Sequence, residues 1–450
     1  MKVKFLDKIF PIVIEDREDH RLHVMSQWLI MMIAYLMIYV LFVYGYYYYI
    51  SNVWRYYGFY WYPDSSRFLE SIVAILLVVF FLPKSYKKPS DILLHTQFFF
   101  PILPMLVLYG AMDLSRFFTF YIVALFIAII ILSRIRLFNS ATGFSVSYGF
   151  LQQISLAWVI ATILLIVAFG GMAYFNFDLS LVYETRRAAG ASRPGLLSYI
   201  IPVTTKVVLP FSLILAIVNR RWWCVLSLLF SSIMLFGLCN HKSVFFYPWV
   251  VMFLFHLIHK KNVIGKLLLY FIGMLLFIQG MHLLLGGIAE VLVSWFMRRV
   301  FFVPALINYQ YYDFFSQSPQ LLWSNSSFTL GMLQQPYSLS GPFTMGYYYY
   351  GNFDCSANTG WIGSGFMQAG YWGMALYAGL ISLLLGITDA LAQNRNKNIV
   401  TAIIVIPFFA MFSGSDLPTA LLTHGILVAL ILLVLLPTKR VLFRNEGCLN

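Results

Sequence analysis

The chain has 450 residues, 61% of them hydrophobic and 10% charged, with a mean hydropathy of +0.80. Soluble domains carry about 25% charged residues, so a soluble core of this size is excluded; the composition is that of one all-α, polytopic membrane domain over residues 1–450. The net charge of +13 does not point to nucleic acid, because the basic residues sit in short clusters between apolar runs, the pattern of orientation signals and anionic headgroup contacts.

The first 26 residues, with DREDHRLH, are too polar for the apolar core of a cleavable signal, so the first apolar run is expected to be an uncleaved anchor. A membrane helix needs about 20 apolar residues. That rule predicts spans at 28–48, 68–82, 92–111, 117–132, 154–174, 199–218, 222–238, 244–257, 263–284, 361–387, 399–412 and 421–436. These are 12 candidate spans, the second and eighth short. An even number puts both termini on one side. The segments on that side hold 20 Lys and Arg against nine on the other, with Lys206 inside span 6. The positive-inside rule then makes the termini cytoplasmic.

Three outer connections have any size: 50–67, 174–199 and 285–360. The first, within YYYYISNVWRYYGFYWYPDSSR, is dense in Tyr and Trp. Such rings favour the headgroup level and also stack on sugars; the interfacial belt is the stronger explanation. There is no internal repeat with matching broken segments of the kind transporters often carry. The cysteines Cys224, Cys239, Cys355 and Cys448 are scattered, with no C-x-x-C, so neither a metal site nor a disulfide framework is expected.

Orientation pressure removes cations from short outer loops, so those that remain need a reason. YETRRAAGASRPG carries Arg186, Arg187 and Arg193; CNHKS carries His241 and Lys242; the large loop carries Arg298 and Arg299; Lys206 sits in PVTTKVVLP. Taken singly, each reads equally well as an ion pair with Glu184 or Asp178, a lipid contact or a snorkelling lysine. As a set they exceed the nearby acids, and an intramembrane cation is a functional candidate. Arginine forks match phosphate oxygens bidentately, so an anionic ligand at the outer face explains the set.

Within the large loop, Ile288, Val291, Leu292, Trp295 and Phe296 recur at helical spacing, which predicts an amphipathic helix over 288–300 lying at the interface. Pro304 is expected to open a second short helix to Phe315. Residues 316–350, rich in Ser, Gln, Pro, Gly and Tyr, read as loop.

RRVFFVPALINYQYYDFF, the WSNS at 323–326 and NTGWIGSGFMQAGYWG at 358–373 resemble the Wzy-type O-antigen (oligosaccharide repeat-unit) polymerases of bacterial inner membranes. RR…PGLLSYIIP and HKS fit the same likeness, which follows the order of spans and outer loops over most of the chain. The resemblance implies a metal-independent glycosyltransferase without a cofactor, both outer loops being periplasmic. It would move a growing glycan from undecaprenyl pyrophosphate onto a fresh lipid-linked repeat unit, with a chain-length regulator as a possible partner. It implies catalytic arginines in two loops, here Arg186 or Arg187 and Arg298 or Arg299. Arg193, Lys206, His241, Lys242 and Asn358 are then expected to bind substrate. The related ligases carry a histidine motif near the end of the large loop; here SANTGW has Asn358 and no histidine, which favours a polymerase. A ligase to lipid A core and a flippase or transporter of the lipid-linked unit are the alternatives. The base that deprotonates the acceptor hydroxyl stays open among Glu184, His241, Asp313 and Asp354.

Overall fold

The apolar runs fold as helices, and among the described residues there is no strand. The computed structural model describes residues 9–135, 138, 145–178, 184–185, 188–190, 193–326, 329 and 332–438, with side chains from Gln27 onward except that of Ile288. In chain order the main helices are α1 (Ile9–Gly45), α2 (Ser65–Phe81), α3 (Pro89–Ala111), α4 (Arg116–Leu132), α5 (Tyr148–Ala168), α6 (Leu197–Val218) and α7 (Trp222–Cys239). They continue with α8 (Lys242–Leu257), α9 (Val263–Leu285), α10 (Val303–Gln317), α11 (Gly341–Tyr350), α12 (Trp361–Gln393), α13 (Lys397–Ser413) and α14 (Leu417–Leu435), the last interrupted between Leu422 and Ile426 where Gly425 takes φ +81°.

Each of the 12 predicted runs is helical, but among the described residues eight helices are long and apolar enough to cross a membrane: the apolar part of α1 (Gln27–Ser51), α3, α5, α6, α7, α9, α12 and α14. The others, α2, α4, α8 and α13, have 16 or 17 residues. Several boundaries differ from expectation for local reasons. α5 starts at Tyr148 rather than 154 because the Ser147 hydroxyl accepts from the Phe150 N–H at 3.3 Å, an N-cap. It ends at Ala168, before Gly170 takes a left-handed turn, rather than at 174. α12 runs on to Gln393 but is broken at Ala369 and Gly370, the latter at φ +57°.

That break creates a half-helix over residues 361–368, buried throughout. Its last carbonyls would be orphaned; the Leu321 and Leu322 N–H groups donate to Met367 and Gln368 at 3.0 and 2.9 Å. The bundle surrounds α3, whose most apolar stretch is 94% buried, with α1, α2, α12 and α13 packed on it. A smaller core, including Val159, Leu209, Leu213 and Leu228, joins α5, α6 and α7.

The large loop departs most from the sequence reading. Instead of an interfacial helix and a separate short one, a continuous helical path runs from Gly286 to Gln317: a 3-10 turn, one α-turn at Glu290–Leu292, a π-helix at Val293–Phe302, then α10. Pro304 lies in the first turn of α10, inside this path rather than at the start of a separate helix. The π-helix buries Val293, Met297, Arg298, Phe301 and Phe302. Phe301 has its ring centroid 5.0 Å from Phe42, 5.1 Å from Phe100 and 5.4 Å from Phe271. The segment is therefore wedged into the bundle, and the face predicted to be apolar, with Val291, Leu292, Trp295 and Phe296, is the less buried one. The buried stripe is a neighbouring face of the same segment, Val293, Met297 and Phe301 at i, i+4 and i+8 with Arg298 and Phe302 beside it. Residues 341–350, expected as loop, form α11. It lies so close to the following segment that a Cβ at Gly346 would sit 1.7 Å from the Cys355 carbonyl oxygen.

Candidate functional site

The π-helix, the aromatic turn before α2 and the stretch before α12 meet around a cavity of about 840 Å³. Tyr57, Phe59, Arg298, Arg299, Phe343, Tyr350, Asp354, Cys355 and Asn358 line it, together with Glu184 and Gly190 from the shorter basic loop.

Arg298 is 7% exposed, yet its guanidinium has no carboxylate within ion-pair distance among the described residues. Its carbon sits 4.7 Å from the Trp54 ring centroid and 5.3 Å from that of Tyr57. Nη2 donates to the Ser294 hydroxyl at 2.9 Å, and the buried Nε has no acceptor. Burial pulls the guanidinium down from its ordinary value, opposed by the nearby hydroxyls of Tyr57, Tyr56 and Tyr350. A guanidinium still stays charged at neutral pH. The result is a desolvated cation held by ring faces, with donor capacity unspent.

The far wall is fixed by α10. Asn308 is buried; its Oδ1 accepts from the Thr359 hydroxyl at 2.7 Å and the Gly363 N–H at 2.8 Å, while its Nδ2 donates to Pro304 O at 2.9 Å. The Tyr311 hydroxyl donates to Ala357 O at 2.9 Å, and that of Tyr350 to Gln310 Oε1 at 3.0 Å. These bonds hold 357–359 on the cavity rim. There Asn358 is exposed and accepts from the Ser356 hydroxyl at 3.1 Å.

The structure thus brings Arg298, Arg299, Asn358, Glu184 and Asp354 together. Arg186 and Arg187 lie outside the described residues; Glu184 and Gly190, on either side of them in sequence, are on the cavity wall. The remaining predicted residues are placed elsewhere. Arg193 donates to Leu238 O at 2.5 Å, which satisfies a carbonyl at the end of α7. Lys206, in the π-turn of α6, donates to His424 Nδ1 at 2.7 Å. His241 precedes the first residue of α8, and Lys242 places its ammonium 4.4 Å from the Trp295 ring centroid. Asp313 accepts from the Tyr349 hydroxyl at 2.7 Å. None of these five lines the cavity.

Sequence reasoning missed Trp54 and Tyr57, which it assigned to an interfacial belt, and Asn308, which sat unremarked in a helix. It also missed Asp416, the buried carboxylate after α13. Asp416 accepts from the Tyr377 hydroxyl at 2.7 Å, Gln368 Nε2 at 3.0 Å and the Leu417 N–H at 2.8 Å. Trp323 completes the cluster, donating through Nε1 to Tyr377 at 2.9 Å and through its backbone to Gln368 at 2.7 Å. Burial pushes the Asp416 carboxyl up against these bonds. An aromatic-dense turn and a lone Asp carry no periodic signal that would have marked them. Among the described residues, no three His, Cys, Asp or Glu side chains gather as a metal site. No family model, curated protein or solved structure matches the chain.

Proposed function

We propose that the chain is an oligosaccharide repeat-unit polymerase of the O-antigen type, acting at the periplasmic face of a bacterial inner membrane. In this reading all 12 apolar helices cross the bilayer and both termini are cytoplasmic. The observation that carries it is Arg298, a buried cation clasped by Trp54 and Tyr57 with no carboxylate partner among the described residues, on the wall of a large cavity.

The donor is a glycan on undecaprenyl pyrophosphate and the acceptor is a fresh lipid-linked repeat unit. The acceptor hydroxyl attacks the anomeric carbon, the bond to pyrophosphate oxygen breaks, and negative charge grows on the leaving group. Arg298 and Arg299, with Arg186 and Arg187 supplied from the second loop, stabilise that charge as it develops. Glu184 and Asp354 are the carboxylates placed to accept the hydroxyl proton, since both lie on the cavity wall. Tyr57, Tyr350 and Asn358 offer ring faces and an amide to sugars.

The test is the glycan profile of cells carrying Arg298→Ala, Arg299→Ala or both, with membrane level measured alongside. Loss of long chains, with a lipid core bearing a single repeat unit, is expected. Full-length chains on the single and double variants contradict the assignment; a core with no repeat unit at all points to a ligase.

A further inference from the structure

A second hollow, of about 1110 Å³, lies at the opposite end of the bundle. α2 and α12 begin beside the arginine cavity and finish here, where the turn 82–88 meets the ends of α4 and α12. Its basic lining residues are Lys84, Lys87, Lys88 and Arg134, and its acids are Asp91 and Asp389.

Both acids are already engaged. Asp389 accepts from the Ser90 N–H at 2.9 Å and the Ser90 hydroxyl at 2.7 Å, and pairs with the Lys88 ammonium at 2.7 Å. Asp91 accepts from the Lys87 and Lys88 N–H groups at 2.7 and 2.9 Å. The Arg134 guanidinium donates to the Phe81 carbonyl at the end of α2, and Lys84 lies 5.8 Å from the Trp28 ring centroid. The hollow therefore keeps a positive excess, with the Lys87 side chain exposed at its mouth. Beside the cations runs an apolar rim in which Phe80 is 58% and Ile135 49% exposed. Free phosphate has no use for that rim, whereas a lipid tail does.

We propose that this hollow binds the phosphate headgroup of an anionic membrane phospholipid, with Lys84 and Lys87 as its cationic contacts and Phe80, Ile135 and Phe138 against its acyl chains. Basic pockets between helix ends bind anionic headgroups by the same combination. The proposal is independent of the activity assigned to the arginine cavity.

The experiment uses the full chain in detergent, with lipid retention read by native mass spectrometry against phosphatidylglycerol and phosphatidylcholine. Lys84→Gln/Lys87→Gln is compared with Lys260→Gln/Lys261→Gln, which removes two exposed charges from another turn. The wild type is expected to prefer phosphatidylglycerol. The 84/87 pair is expected to lose that preference by roughly 30-fold, the worth of two basic residues at an anionic surface, and the 260/261 pair to keep it. Equal retention of both lipids, or the same loss in both variants, overturns the proposal. Displacement of phosphatidylglycerol by millimolar inorganic phosphate also overturns it, since the site would then be one for free phosphate.

Discussion

Arg298 differs from the other outer cations in its surroundings. Arg193 spends a donor on a helix-end carbonyl, Lys206 on His424, and Lys242 lies over the Trp295 ring, none of them on the cavity wall, whereas Arg298 is buried on that wall against Trp54 and Tyr57 with one donor spent on Ser294. A desolvated cation–ring contact is worth about 2 kcal/mol. Trp54→Leu is accordingly expected to slow glycan extension by roughly 30-fold at unchanged membrane level, while Tyr57→Phe keeps most of the rate because the ring remains. Equal rates for wild type and Trp54→Leu would show that the ring does not position the guanidinium. Cys355 gives a second handle on the same cavity. Burial pushes its thiol up from the ordinary value, so the reactive thiolate is scarcer at neutral pH than on a free cysteine. In a chain whose other three cysteines are serine, maleimide labelling is expected to be slow near pH 7, to accelerate as pH rises past the usual thiol range, and to slow again when lipid-linked substrate is added. Charge stands out in an apolar chain, so Arg298 and Arg299 are legible as members of a set of outer cations that also holds Arg186, Arg187, Arg193 and Lys242; nothing in the sequence separates Arg298 from that set or Trp54 from the other rings of its turn, since only packing separates a ring that clasps a cation from one that faces lipid.

At the scale of elements, the half-helix at 361–368 and the π-helix do the positioning. Asn308 ties the first to α10, and replacing it by Ala leaves the Gly363 N–H and the Thr359 hydroxyl without their acceptor. Each buried donor so orphaned costs about 1–3 kcal/mol. Asn308→Ala is therefore expected to lower the thermal midpoint in detergent and to reduce chain extension together. An unchanged midpoint would mean that the rim is held by other contacts. Helices were legible here wherever an apolar run was long, but the joints between them were not. The break at Gly370 depends on a left-handed backbone that the surrounding apolar pattern hides, and the π-helix turns inward the stripe of Val293, Met297 and Phe301 rather than the one that the apolar pattern of Val291, Leu292, Trp295 and Phe296 marks. α11 is not legible because residues 316–350 are rich in Ser, Gln, Pro, Gly and Tyr with no sustained period, yet Pro342 sits in its first turn and starts the helix.

For the whole molecule, composition was enough to read an all-helical membrane protein, and each apolar run became a helix. The number of crossings is less legible, because α2, α4, α8 and α13 are each a turn short of a comfortable span. The two hollows lie at opposite ends of the bundle, with Lys84 and Lys87 at one and Asn352 and Asp354 at the other. Membrane-impermeant labelling of single cysteines placed at 87 and 352 is expected to modify only 352 in spheroplasts, and to modify 87 only after the membrane is opened. Labelling of both from the outside would contradict the orientation. The most direct test of the central claim is chain extension by purified protein in proteoliposomes supplied with the lipid-linked repeat unit. Arg298→Ala is expected to lower the rate by roughly 100- to 1,000-fold, as loss of a donor to developing negative charge does, and Arg298→Lys to restore little of it, because a point charge does not reproduce the fork. Wild-type rates in Arg298→Ala would contradict the account.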